Sequence, residues 1–229
     1  TISAVGKLLL ALALGLAVPV QEDIEALLRE ARRLEQAGDP AAAAEACQLF
    51  LQHARQGSAE RARALFALAA IEGDLGRYAE SARHAREAAA IFEARGDAGR
   101  LSNALNRAGL AFLYAGDYRQ AGESFRSAVA VSTRAGDREG RAEQLMNLGN
   151  VHFFVGRYVD AARMYDEALA VTTGSGTAPW TPRRRRLVLA NQAILYQKLG
   201  RDEQALAAYQ ELGATAGEQV EDELISSPD

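Results

Sequence analysis

A glycine turn recurs along the chain at Gly76-Arg77-Tyr78, Gly116-Asp117-Tyr118 and Gly156-Arg157-Tyr158, twice at a spacing of 40 residues. A fixed period of this length describes one supersecondary unit used several times, each unit covering its apolar face by stacking on the next. The same glycine returns at Gly38 and Gly200, which makes five units between about Ile24 and Gly213 of the 229 residues. In each unit an apolar stretch at helical spacing leads into the glycine turn, and a second, alanine-rich stretch follows it. In the third, Leu105, Ala108, Gly109 and Phe112 share one helix face, and Ala121, Phe125 and Ala128 share another. The fourth repeats this with Leu145, Leu148, Gly149 and His152, then Ala161, Tyr165 and Ala168. Two amphipathic helices joined by a short turn form a hairpin, so the expected fold is all-α: a right-handed superhelical solenoid of about five helical hairpins.

Boundaries follow from the breakers. The units fall at about 24–57, 58–97, 98–137, 138–177 and 182–213, within a solenoid of residues 21–213. Residues 174–182 form a Gly, Ser, Thr and Pro cluster that contains Trp180 and lengthens the last spacing to 44. Asp39-Pro40 and Thr181-Pro182 each read as an N-cap followed by the first helical residue. Residues 214–229 read as a polar tail, a linker or the start of a further unit.

Residues 1–20 differ from the rest. Lys7 precedes an uncharged apolar run from Leu8 to Val18, then Pro19 and an acidic start at Glu22-Asp23. This is a signal-peptide pattern, and the run is too short to span a bilayer. Export to the periplasm or the extracellular space is the expectation, with a cytoplasmic protein whose leader caps the first hairpin as the alternative.

Composition narrows function. The chain is 48% apolar and 24% charged, with 26 basic and 30 acidic residues for a net charge of −4, so no global positive field exists to hold nucleic acid. Cys47 cannot form an internal disulfide, and His53, His84 and His152 fit no metal-ligand spacing. No nucleophile elbow, phosphate loop or zinc motif occurs, so neither catalysis, a cofactor nor a small-molecule substrate is expected.

The order of a large apolar residue, Leu148-Gly149, an aromatic, Gly-x-Tyr, alanine, aromatic and alanine resembles the tetratricopeptide repeat, whose unit is helix, turn, helix. The resemblance covers about 190 residues and is clearest in units three and four, while units one, two and five are degenerate. The period is 40 rather than 34, and Gly96-Asp97 and Gly136-Asp137 replace the usual closing proline, with each aspartate placed to cap the next helix. In this the chain is similar to the repeats of kinesin light chain, of Pins-type adaptors and of bacterial proteins that join such repeats to a caspase-like CHAT protease. The resemblance implies a protein-binding scaffold, or else a regulatory arm of a larger enzyme of the CHAT kind, with a downstream domain of the same polypeptide as an intramolecular partner. Self-association through an end hairpin is a third expectation.

A solenoid binds through the concave surface made by the first helix of each hairpin. The residues expected there are Asn103, Asn106, Arg107, Leu110 and Tyr114 in unit three, Glu143, Met146, Asn147, Asn150 and Phe154 in unit four, and Asn191, Ile194 and Lys198 in unit five. An amide carries both donor and acceptor, so a row of asparagines suits the backbone of an extended peptide, with Tyr114, Met146 and Phe154 as apolar pockets. Equally, these asparagines suit hydrogen bonds between neighbouring hairpins that keep the units in register. Met146 and Leu187 stand where a carboxylate-gripping groove would carry cations, so an internal segment of a partner is the expected ligand. Arg183, Arg184, Arg185 and Arg186 begin a helix, where positive charge opposes the helix dipole, and are candidates to meet an acidic partner.

Overall fold

The computed structural model describes residues 29, 31, 33, 34, 36–172 and 182–225. The apolar leader at 1–20 and the breaker cluster with Trp180 lie outside the described residues. Those described contain nine complete helices and no strand: α1 Pro40–His53, α2 Ala59–Asp74, α3 Tyr78–Ala94, α4 Ala98–Tyr114, α5 Tyr118–Ala135, α6 Arg138–Phe154, α7 Tyr158–Thr172, α8 Pro182–Lys198 and α9 Asp202–Ile225. The last helix runs through Gly213 to Ile225, so most of the stretch read as a tail continues the second helix of hairpin five.

Turn chemistry places the helix ends. Asp39, Ser58, Asp97, Asp117 and Asp137 each accept a backbone N–H three residues on, from Ala42, Arg61, Arg100, Gln120 and Gly140 at 2.9–3.1 Å. Such a cap satisfies one of the donors that a helix start leaves open and contributes about 1 kcal/mol. Between α5 and α6, Gly136 takes φ +70°, a left-handed conformation that ends one helix, and Asp137 caps the next. The Gly-Asp pair therefore does the work expected of it.

The helices form two compact units, one ending at Gly116 and the other beginning at Asp117, so α4 and α5 belong one to each. In the first, α1 packs on α2, α2 on α3 and α3 on α4, and the first helices α2 and α4 also touch. Its core is rich in alanine: Ala62, Leu65, Ala88, Ala89, Phe92 and Ala104 form one cluster, and Ala69, Ala85 and Ala108 another. Small side chains let helix axes approach closely. Between α2 and α3 lies a polar pair, Glu72 Oε2 and His84 Nδ1 at 2.6 Å, both buried, beside Ser81 Oγ donating to Ala69 O at 2.6 Å. Glu72, His84 and Ser81 thus each have a partner across the hairpin.

In the second unit α5 packs on α6, α6 on α7, α7 on α8 and α8 on α9, with α6 and α8 also in contact. Tyr165 of α7 sits at its centre, 1% exposed, in a cluster with Ala142, Leu145, Ala161, Ala168, Val188 and Leu195. The Cδ1–Cε1 side of its ring lies close to α6 at Gly149: a Cβ there would fall 2.5 Å from Tyr165 Cε1. That glycine is a requirement of packing rather than of the turn.

A charge pair recurs beside the core. Arg61 pairs with Glu87 at 2.8 Å, Arg141 with Glu167 and Arg185 with Glu211, each joining the first helix of a hairpin to its second across 26 residues. Arg61 and Arg141 stand two periods apart, as do Glu87 and Glu167. Half-exposed pairs contribute under about 1 kcal/mol each, but their repetition favours one register of every hairpin over its slipped alternatives.

Gly149→Ala should therefore destabilise the protein by about 2 kcal/mol, because the helix-propensity gain of alanine is outweighed by displacement of a buried aromatic ring. Urea denaturation followed by circular dichroism measures this, and an unchanged midpoint would show that α6 and α7 do not depend on the close approach.

Candidate functional site

On α6, Glu143, Asn147, Asn150 and Phe154 follow one another at helical spacing, and on α8 Leu187, Asn191, Ile194 and Lys198 do the same. The two stripes face a common side, because α6 and α8 lie alongside each other and their side chains meet. Asn191 Nδ2 donates to Asn150 Oδ1 at 3.0 Å, and Tyr165 OH, reaching up from α7, donates to the same oxygen at 2.7 Å. Burial raises the Tyr165 hydroxyl well above its ordinary value, so it stays protonated and remains a donor throughout the physiological range.

With Asn150 Oδ1 filled by two donors, the pair still has Asn150 Nδ2 and Asn191 Oδ1, which have no hydrogen-bond partner among the described residues. One donor and one acceptor, set side by side on adjacent helices, match the N–H and C=O that one residue of an extended chain turns to the same side. The asparagine pair thus ties neighbouring hairpins together and leaves a donor and an acceptor on the surface.

Apolar side chains flank it. Phe154 is 58% exposed and its ring stacks on Tyr118 at 5.8 Å and 11°. Ile194 and Leu187 are each 49% exposed, while Met146 is half-buried against the core. Large apolar groups held this open by packing beneath them are where a partner gains most from burial. At the N-terminal end of the stripes Arg184 pairs with Glu143 at 3.1 Å and approaches Glu139 at 3.6 Å.

The expected site residues are therefore distributed unevenly. Met146, Asn150, Phe154, Asn191 and Lys198 lie on or beside the α6–α8 face, whereas Asn147 is only 5% exposed and its amide is held inside the packing. In the other unit α4 carries Asn103, exposed, Asn106 and Arg107, half-buried, and Tyr114, which stacks on Tyr78 at 5.6 Å just as Phe154 stacks on Tyr118. Of the basic run, Arg184 and Arg185 both have acidic partners in the chain itself, Arg186 is half-buried, and the side chain of Arg183 lies outside the described ones. These pairs explain how arginines are tolerated at a helix start.

Other contributors were not singled out from the sequence. The hydroxyl of Tyr165 looks like core from its spacing, and nothing in one dimension places it under Asn150. Gln192, buried, bridges Asp166 Oδ1 at 2.5 Å and Tyr196 OH at 3.3 Å, fixing α8 to α7. Among the described residues no group of His, Cys, Asp or Glu side chains is arranged to hold a metal ion, and no helix is long and apolar enough to cross a membrane.

Comparison with known proteins adds the family. Residues 100–174 and 188–222 each match a sequence model of the tetratricopeptide repeat. No curated protein sequence matches the chain. Among solved structures, the apo form of RapI is similar at a TM-score of 0.76 and 16% identity, over 88% of this chain and 73% of that one. The nearly identical TPR-like repeats of a kinesin light chain from Podosopora anserina are similar at 0.75 and 16%, over 90% and 100%. A Rap protein complexed with competence and sporulation factor is similar at 0.69 and 15%, over 90% and 57%. At such identities the likeness is one of fold. Residues 100–174 and 188–222 of the chain are thus tetratricopeptide repeats.

If Tyr165 OH, Asn150 and Asn191 act as one device, Tyr165→Phe should cost about 1 kcal/mol in the native chain and close to nothing once Asn150 has been changed to Ala. Equal costs in both backgrounds, read from urea midpoints, would separate the tyrosine from the pair.

Proposed function

We propose that this tetratricopeptide-repeat chain is a non-catalytic scaffold that holds an extended segment of a protein partner across the first helices α6 and α8. The observation that carries the reading is the Asn150–Asn191 pair, which leaves one amide donor and one carbonyl acceptor between the exposed side chains of Phe154, Leu187 and Ile194. Helix axes in contact lie about 8–10 Å apart. An extended chain rises about 3.3 Å per residue, so partner side chains about three residues apart meet the apolar flanks on α6 and α8.

The asparagines recognise backbone and so tolerate many sequences. Preference comes from the apolar flanks: a side chain against Phe154 and its stacked partner Tyr118, and another against Ile194. The Arg184–Glu143 pair satisfies its own charges, so an uncharged internal segment suits the face better than a free carboxylate. That a Rap protein of similar fold is seen in complex with competence and sporulation factor supports a ligand-holding use of the architecture.

The test takes the full chain as bait, identifies the retained protein and measures binding of its mapped segment by calorimetry. An Asn150→Ala, Phe154→Ala double variant should bind at least about 30-fold more weakly, the loss expected when a central anchor is truncated, with helicity retained. Undiminished affinity in a folded double variant would remove the peptide from this face.

A further inference from the structure

Helix α9 repeats the packing residues of α7 at the spacing of 44 that also relates Gly156 to Gly200. Ala161, Ala162, Tyr165 and Ala168 return as Ala205, Leu206, Tyr209 and Leu212. On α7 these positions are covered by the next first helix: Tyr165 is buried in one cluster with Val188 and Leu195, which stand two turns apart on α8, and Ala162 packs against that cluster. On α9 the same surface is half open. Ala205 is buried and Leu212 half-buried, whereas Tyr209 is 39% exposed and Leu206, where α7 has only an alanine, is 57% exposed. Tyr209 OH donates to Gln197 Oε1 at 3.2 Å, which ties this ring to α8. The outer side of α9 therefore continues an interface that the chain already uses, with more apolar surface than its counterpart.

Charge separates the helices that could cover it. Over Asp202–Ile225, α9 carries seven acidic residues and no basic one, whereas α3, α5 and α7 each carry at least one arginine. A second α9 laid on the first brings seven more acids with nothing to offset them, so like charges oppose a dimer through this face. A helix with lysine or arginine beside its apolar row meets both the open side chains and the charge around them.

We propose that the outer face of α9, with Leu206 and Tyr209 at its centre, docks a basic amphipathic helix of a protein partner in the way that α8 covers α7. The docked helix brings two aliphatic side chains seven residues apart, in the places that Val188 and Leu195 hold on α7, and basic residues on either side of them. The site shares no side chain with the α6–α8 face and does not depend on the peptide reading.

The chain itself contains a probe of this chemistry. A synthetic peptide of α8, Pro182–Lys198, has five basic residues, no acidic one and both aliphatic side chains. Labelled with a fluorophore and titrated with the full chain, it should bind saturably by fluorescence anisotropy. Leu206→Asn, at an exposed position where circular dichroism should show helicity unchanged, should weaken binding at least about tenfold, as expected when a leucine side chain is no longer buried. The peptide with Arg183, Arg184, Arg185 and Arg186 each changed to Glu should lose as much, although acids in a first turn favour the helix. No saturation, equal affinity for Leu206→Asn or equal affinity of the charge-reversed peptide overturns the proposal. So does self-association of the full chain in sedimentation that Leu206→Asn abolishes, because the face then belongs to a second copy.

Discussion

The close contact between the ring of Tyr165 and the bare backbone of Gly149 is the constraint from which the rest of the second unit follows. It sets how near α7 lies to α6, and so it puts the Tyr165 hydroxyl within 2.7 Å of Asn150. That bond, together with the one from Asn191, turns the amide of Asn150 so that its NH2 group remains on the surface. Packing at the core and presentation at the face are in this sense one arrangement. A larger residue at 149 disturbs both.

Around this centre the chain solves the repeat problem with small, similar devices. Aspartate caps close the turns, and arginine–glutamate pairs tie the two helices of hairpins two, four and five. In hairpin three the corresponding position is Leu101, which instead packs against the apolar cluster of the first unit. None of these ties is worth much alone. Together they make the repeated hairpin the same hairpin, and a regular hairpin is what puts equivalent positions of successive first helices side by side. The stacks of Tyr78 on Tyr114 and of Tyr118 on Phe154, each between the start of a second helix and the end of the next first helix, likewise recur at one period.

Much of this was legible in the sequence. The period, the glycine turns, the Asp39-Pro40 cap and the Gly-Asp junctions are local signals, and backbone conformation answers to local signals directly. The α6 and α8 stripes were legible as faces because helical spacing places residues three and four apart together. What each side chain does on those faces was not, since it depends on contacts between residues of different helices, 15 to 45 positions apart. Asn147 and Asn150 look equivalent in one dimension, yet one is buried and the other meets Tyr165 and Asn191. The basic run at 183–186 likewise looked unpartnered, because Glu139, Glu143 and Glu211 lie far away along the chain. The Arg61–Glu87 and Arg141–Glu167 pairs could have been found, since both residues recur after two periods.

The proposed seat of a partner on the α6–α8 face can be probed by placing a photo-crosslinking residue at Ile194, on that face, and separately at Val159, a 73% exposed apolar position in the first turn of α7. Irradiation in the presence of the captured partner should join it at 194, with adducts mapping to one short segment, and should leave 159 unlinked. Crosslinking at 159 but not at 194 would take the partner off the first helices and move the binding surface to the second.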